Sequence, residues 1–198
     1  KPFSRFIQEI LPQKDGEIVF VTEHVTSRLP DDIPIAASLV EREIVHMLSI
    51  CKDIFDNTLE VAEGNTDMCS RIAHLRDYID YLRTQIMSAV INLTNRDISV
   101  EDAAHVAILA RVTDLSALMA HQMTSMARSF EQMNEKKITL SPESLRGIEE
   151  MAALCRENTE QLIGVFPEMP EYIDKEMRSN DELLRQVLNW HYKTYLIQ

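Results

Sequence analysis

Apolar residues recur at every third or fourth position along most of the chain, which is the spacing of one face of an α-helix. The first such stripe predicts a helix from Ile35 to about Glu63. Similar stripes predict four more helices, over 66–93, 99–134, 141–164 and 171–195. Short connections between long helices favour antiparallel neighbours, so the predicted fold class is all-α, a helical bundle.

Turn and capping residues separate these stripes. Gly64 is expected to end the first helix, because glycine adopts the left-handed cap without steric cost. Ser99 is expected to cap the third helix, and Pro142 fits the first position of the fourth. Residues 1–34 contain several prolines and are predicted to form a linker. Within it, 17–25 (EIVFVTEHV) has the composition of a short strand.

The first and fourth predicted helices resemble each other at an offset of 104 positions. Met47 then aligns with Met151 and Cys51 with Cys155, and the second and fifth helices follow the same offset. The pattern predicts a duplicated unit of three antiparallel helices. The partner of the third helix would begin beyond Gln198, so the second copy lacks its third helix. The predicted domains are a linker at 1–34, a three-helix bundle at 35–135 and an incomplete bundle at 141–198.

The net charge of the chain restricts the classes of molecule that it can bind. The formal net charge of −12 is unfavourable for binding nucleic acid, which requires clustered positive charge, and for binding anionic lipid surfaces. Three cysteines without CxxC spacing indicate neither a disulfide framework nor a zinc knuckle, and they fit a reducing compartment. No run approaches the roughly 18 apolar residues that span a bilayer. Because the sequence begins at Lys1, we expect a piece of a longer protein.

Three segments carry a resemblance to a known family. They are RLPDDIPIAASLVEREIVHML (28–48), HLRDYIDYLRTQIMSAVINL (74–93) and DISVEDAAHVAILARVTDLSALMAHQM (97–123). Together with the duplicated three-helix pattern, they resemble the PhoU family, and more closely the PhoU-like cytosolic domain that follows the membrane region of bacterial sodium/phosphate (Na/Pi) cotransporters. The resemblance covers roughly residues 28–198. The first twelve residues are similar to the stretch after the last transmembrane helix of such transporters.

The resemblance implies a regulatory domain rather than an enzyme, which modulates phosphate uptake or efflux through protein contacts. It implies a location at the cytoplasmic face of the inner membrane, with the transmembrane portion of the same transporter as partner. A second copy of the chain, in a homodimer, is a further expected partner. Nucleic acid is not expected as a partner. The alternative is a free-standing soluble helical adaptor or phosphate-signalling regulator. Hydrophobic spans encoded upstream of Lys1 would separate the two.

The family's third helix implies a metal-binding signature, an acidic residue followed by Arg-x-x-Asp and then asparagine. In this chain Asp114 matches the aspartate, whereas Ala110 replaces the first acidic residue and Leu118 replaces the asparagine. One aspartate is a poor ligand set. We therefore expect no cofactor, and Asp114 is the one residue of the signature left to contact a divalent metal.

A di-metal carboxylate bundle is a second metal hypothesis. Such sites use Glu-x-x-His pairs on facing helices together with further carboxylates. The chain offers Glu43 with His46, Asp102 with His105, and Asp77 or Asp80. Against this hypothesis, Asp102 lies in the first turn of its helix, where acidic residues are common for electrostatic reasons. No nucleophile or glycine-rich loop accompanies these residues, so no catalytic residue is predicted.

Two apolar surfaces could accept a partner. The methionines at 119, 123 and 126 form a flexible stripe, although such stripes more often fill a core. The aromatic residues near the end of the incomplete copy would need cover if its third helix is missing. The predicted interaction surface is therefore Trp190, His191, Tyr192 and Tyr195.

Overall fold

The computed structural model describes residues 20–165 and contains four helices in that range. They are α1 (Ile33–Ala62), α2 (Met68–Thr94), α3 (Val100–Glu135) and α4 (Pro142–Val165). No strand occurs in the described range, which confirms the all-α class. The predicted fifth helix, and with it the extent of the second copy, lies outside the described residues.

Capping explains where the helices begin and end. The Asp32 carboxylate accepts a hydrogen bond from the Ile35 N–H at 3.0 Å, so α1 begins at Ile33, two residues earlier than expected. Pro34 then lies in the first turn, where a missing N–H costs nothing. Ser99 caps α3 as predicted and also donates to Asp102, with Oγ and Oδ2 2.7 Å apart. Gly64, two residues after the end of α1, adopts the left-handed φ of +108°, as expected of a glycine that ends a helix.

The first three helices form one bundle in which each contacts the other two. Bonds between α1 and α3 join residues at matching heights: the Cys51 thiol donates to the Ser116 carbonyl, and Asn134 Nδ2 donates to the Val61 carbonyl. These two helices therefore run parallel, with the antiparallel α2 beside both. The core contains Ile44, Met47, Ile54, Ile72, Ile79, Leu82, Ile86 and Leu109, all almost inaccessible to solvent.

Small and hydroxylated residues line the buried side of α3. They are Thr113, Ser116, Ala120, Thr124 and Ala127. Each hydroxyl donates to the carbonyl four residues earlier, at 2.8–2.9 Å, which satisfies its polarity inside the core.

This register corrects one expectation about α3. The apolar spacing of 99–134 predicts that Leu118 faces inward with Met119, Met123 and Met126, but Leu118 is 54% exposed, and Ile108 and Leu115 are also exposed. Met119, Met123 and Met126 are half-buried and pack against the core. By length and composition, α3 is also the one described helix that could cross a membrane, although this test is also passed by core helices of soluble proteins.

The fourth helix packs on α1 and, among the described helices, on no other. Arg156 donates to the Asp56 carboxylate at 2.8 Å, and Lys52 pairs with Glu160. Because the pairs join 52 with 160 and 56 with 156, α4 is antiparallel to α1. Ala152 is buried and Ile148 and Leu162 are half-buried on the packed side.

Candidate functional site

The most unusual group in the described structure is the carboxylate of Glu43. Its residue is 0% exposed, although it lies on α1 between the core residues Val40 and Met47. Burying a charge is costly unless hydrogen bonds replace the lost water. The hydrogen-bond donors around the Glu43 carboxylate therefore define the candidate site.

Three consecutive backbone N–H groups donate to this carboxylate. Oε2 accepts from His24 at 2.6 Å and from Val25 at 2.9 Å, while Oε1 accepts from Glu23 at 3.2 Å. A run of successive N–H groups forms a concave anion-binding nest, here filled by a side chain of the same protein. We call residues 20–32, which precede α1 and contain this nest, the strap.

The fourth donor is His46, one turn after Glu43 on α1. Its Nδ1 lies 3.0 Å from Oε1, so each carboxylate oxygen takes part in two hydrogen bonds. An ionised carboxylate only accepts, which places the hydrogen on Nδ1 of His46. The other ring nitrogen, Nε2, lies 3.5 Å from the Glu23 carboxylate. His46 therefore contacts one acidic side chain from α1 and one from the strap.

The balance of burial and bonding determines the ionisation of Glu43. Burial alone would raise the pKa of this carboxyl group, but the hydrogen bonds from His46 and from the three backbone N–H groups outweigh it. The net effect lowers the pKa below its ordinary value of 4.5. The carboxylate is consequently ionised at neutral pH, which is the state that the four donors require.

Aromatic residues hold the start of the strap on α2. The Phe20 ring stacks on Tyr78 with centroids 5.1 Å apart and also contacts Tyr81. The Tyr78 hydroxyl donates to the Val21 carbonyl at 2.7 Å. Burial, together with the nearby acidic groups Glu23 and Glu43, raises the pKa of Tyr78 to about 12, so the phenol keeps the proton that it donates.

The end of the strap is held from the opposite end of the same helix. Arg96, just after α2, donates through Nη1 to the Pro30 carbonyl and through Nη2 to Asn92 Oδ1 at 2.7 Å. Val25 and Leu29 are buried in the core cluster. Thus the described part of the segment expected to be a linker packs along the bundle. Residues 20–25 of the expected strand form no strand, and the N–H groups of 23–25 bond to a side chain instead of a neighbouring strand.

The residues of the metal hypotheses have other partners. Asp114 is exposed and accepts from Arg83 Nε of α2 at 2.8 Å. His105 Nε2 lies 2.7 Å from the Glu41 carboxylate, and Asp102 accepts from its capping serine. Glu43 thus orients His46, and Glu41 orients His105. Within residues 20–165, no three His, Cys, Asp or Glu side chains are grouped so that they could hold a metal ion.

The remaining predicted site residues lie elsewhere. Trp190, His191, Tyr192 and Tyr195 are outside the described residues, so the proposed aromatic surface stays a prediction. Cys51 is buried, and burial raises the pKa of its thiol to about 12. That thiol therefore stays protonated at neutral pH and is a poor nucleophile.

The Glu-x-x-His spacing predicted that Glu43 is half of a metal-binding pair. It gave no sign that the carboxylate bonds to the strap. The signal that was available is its position, because residues 40, 43, 44 and 47 share the buried face of α1. A charge at such a position requires partners. Comparison with known proteins supplies no further clue: no family model, no curated protein and no solved structure matches the chain.

Proposed function

We propose that this chain is a PhoU-like cytosolic regulatory domain of a sodium-dependent phosphate transporter, acting by contact and without catalysis. The observation that carries the proposal is the bonding of Glu43 to the strap. It fixes the polypeptide on the N-terminal side of the bundle to the buried face of α1. Packed and hydrogen-bonded elements carry coupling between sites, so such an attachment is suited to a regulatory domain.

The position of the site supports the family assignment. The segment 28–48 resembles the family's passage from a proline-bearing linker into a helix with paired acidic residues, and in this chain those residues are Glu41 and Glu43. Each has a defined role in the structure. Glu41 pairs with His105 of α3, while Glu43 bonds to the strap. The motif therefore joins three parts: the strap, α1 and α3.

The ion pairs between α1 and α4 support the duplicated architecture that the resemblance implies. Adding the offset of 104 to Lys52 gives Arg156, and adding it to Asp56 gives Glu160. The observed pairs are Lys52 with Glu160 and Asp56 with Arg156. Exchanging the two copies therefore converts one pair into the other, which is the relation expected of two repeats packed about a pseudo-two-fold axis.

The reading frame of the gene tests the proposal first. Hydrophobic spans encoded upstream of Lys1 are expected, and a frame without them contradicts the transporter assignment. In the full-length protein, phosphate uptake into cells should then change with Glu43→Gln but not with Glu41→Gln, the matched variant two residues away. Equal uptake for all three proteins at equal membrane abundance would contradict regulation through the strap.

A free-standing helical adaptor is the second candidate. The observation that favours it is the outward side of α3, where Ile108, Leu115 and Leu118 are exposed together. An adaptor would use such a surface for a protein partner. The upstream reading frame distinguishes this candidate from the transporter domain.

A further inference from the structure

The outward side of α3 carries a regularly spaced row of exposed residues that are apolar except for Arg111. Positions 104, 108, 111, 115 and 118 alternate steps of four and three, the spacing of a helix-pairing seam, and all five are exposed. We call these residues, Ala104, Ile108, Arg111, Leu115 and Leu118, the α3 strip. Its three large apolar members are 43%, 52% and 54% exposed, in chain order.

We propose that the α3 strip is the interface of a homodimer in which two copies of α3 pack antiparallel about a two-fold axis located between Arg111 and Leu115. With that axis, Ile108 of one copy lies level with Leu118 of the other, because both are five residues from residue 113. Leu115 then lies level with the aliphatic stem of Arg111. Every contact occurs twice, as an isologous interface requires.

Charge favours the antiparallel register and favours a second copy of the chain as the partner. Asp114 flanks the strip on the side of α2, as its bond to Arg83 shows. In the antiparallel pairing, the Arg111 guanidinium of one copy comes within reach of Asp114 of the other. Arg111 and Asp114 carry opposite charges, whereas the chain as a whole carries a net charge of −12. A second copy can therefore meet this surface without local repulsion, while an anionic lipid surface would be repelled by the rest of the protein.

None of the described helices covers the strip. The inward side of α3 is occupied by the core, and α4 packs on α1 without contacting α3. The dimer would form in the same way whether the chain belongs to a transporter or to a free adaptor, so this inference does not depend on the proposed function.

Sedimentation velocity of the 198-residue chain, from low micromolar to several hundred micromolar, tests the dimer. Leu118→Glu places a carboxylate in the interface twice, and we expect it to raise the dimer dissociation constant about 100-fold. Ile91→Glu is the matched control, because Ile91 is 56% exposed on α2 and outside the strip. It should leave the dissociation constant unchanged.

A charge exchange tests the register. Arg111→Asp and Asp114→Arg should each weaken the dimer by placing like charges opposite each other, and the double variant R111D/D114R should restore it. Circular dichroism confirms that each variant is folded. A wild-type monomer over the whole range overturns the proposal, as does a dimer that Leu118→Glu and Ile91→Glu weaken equally or a double variant as weak as the single ones.

Two other occupants of the strip would give different results. If 166–198 covers the strip within one chain, the wild type is monomeric and becomes dimeric only when that segment is removed. If lipid covers it, wild type but not Leu118→Glu co-sediments with phosphatidylglycerol vesicles, and no dimer forms without them. Either result overturns the homodimer.

Discussion

Two segments pack against α1 from outside the three-helix bundle, and they do so by different physics. The strap bonds to α1 through Glu43, a carboxylate with no exposure and four donors. The fourth helix is held to α1 by apolar contacts and by two ion pairs whose side chains remain 32–54% exposed. Exposed ion pairs contribute about 0–1 kcal/mol, whereas breaking a buried charged network costs several times more.

The difference indicates which attachment is rigid. Water can replace Lys52 at Glu160 or Arg156 at Asp56 with little loss, because these groups are already partly hydrated. Water cannot readily replace three backbone N–H groups around a buried carboxylate. We therefore expect the strap to open only with the bundle, and α4 to separate from α1 more easily.

The largest expected effect is that of Glu43→Gln. The amide keeps the size of the side chain but loses the charge and presents N–H groups toward donors of the strap. We expect the free energy of unfolding to fall by roughly 3 kcal/mol, measured by chemical denaturation at neutral pH. Glu41→Gln, which loses a partly exposed pair with His105, should cost less than about 1 kcal/mol. Equal losses for the two variants would contradict the special role of Glu43.

The effect of pH should follow the ionisation of the same carboxylate. Its pKa is lower in the folded protein than its ordinary value of 4.5, so the ionised form is favoured by folding. The stability that this carboxylate contributes is complete above that ordinary value and is lost as the pH falls through the folded pKa. The stability difference between wild type and Glu43→Gln should therefore shrink below pH 4.5. A difference that stays constant down to pH 2 would be inconsistent with this assignment.

Tyr78→Phe should have an intermediate effect. It removes the hydroxyl that donates to the Val21 carbonyl but keeps the ring that stacks on Phe20. We expect a loss of about 1 kcal/mol, the usual value for one hydrogen bond. Thermal unfolding of Tyr78→Phe and of Tyr81→Phe, a matched neighbour that also contacts Phe20, measures it. A larger effect at Tyr81 would show that the strap is held in another way.

The smallest effect is expected for the attachment of α4. Asp56→Asn removes the acceptor of Arg156 at a site where both side chains are about two-fifths exposed. We expect a loss below about 0.5 kcal/mol, decreasing further in high salt because exposed pairs are screened. A double-mutant cycle with Arg156→Gln gives the coupling energy. A coupling energy as large as the effect of Glu43→Gln would remove the contrast between the two attachments.

Local sequence signals predicted much of the helical framework. Ser99 and Gly64 act through bonds and dihedral angles within their own turns, so α3 and the end of α1 could be located closely. Asp32 also acts locally, but Pro30 and Pro34 suggested that the helix begins after residue 34. The side of α3 that faces the core was harder to predict, because the polar residues Thr113, Ser116 and Thr124 are buried there. Their hydroxyl groups donate to carbonyls of the same helix. Counting apolar residues therefore placed Leu118 inward.

The role of Glu43 could not be predicted from spacing. Three of its four donors are backbone groups about 20 positions earlier in the chain, and backbone N–H groups carry no sequence signature. The pattern 43–46 instead suggested a metal-binding pair, since a glutamate and a histidine three residues apart share a helix face and can both bind a metal ion. Only the fold of the strap distinguishes a carboxylate that binds a metal ion from one that binds a nest.

Amide hydrogen exchange at Glu23, His24 and Val25 tests the central claim most directly. Their N–H groups donate to Glu43, so in the wild type they should exchange as slowly as the interior of α1. In Glu43→Gln the three amides should exchange much faster while the middle of α1 stays protected. Rapid exchange of these amides in the wild type, or unchanged protection in the variant, would contradict the account.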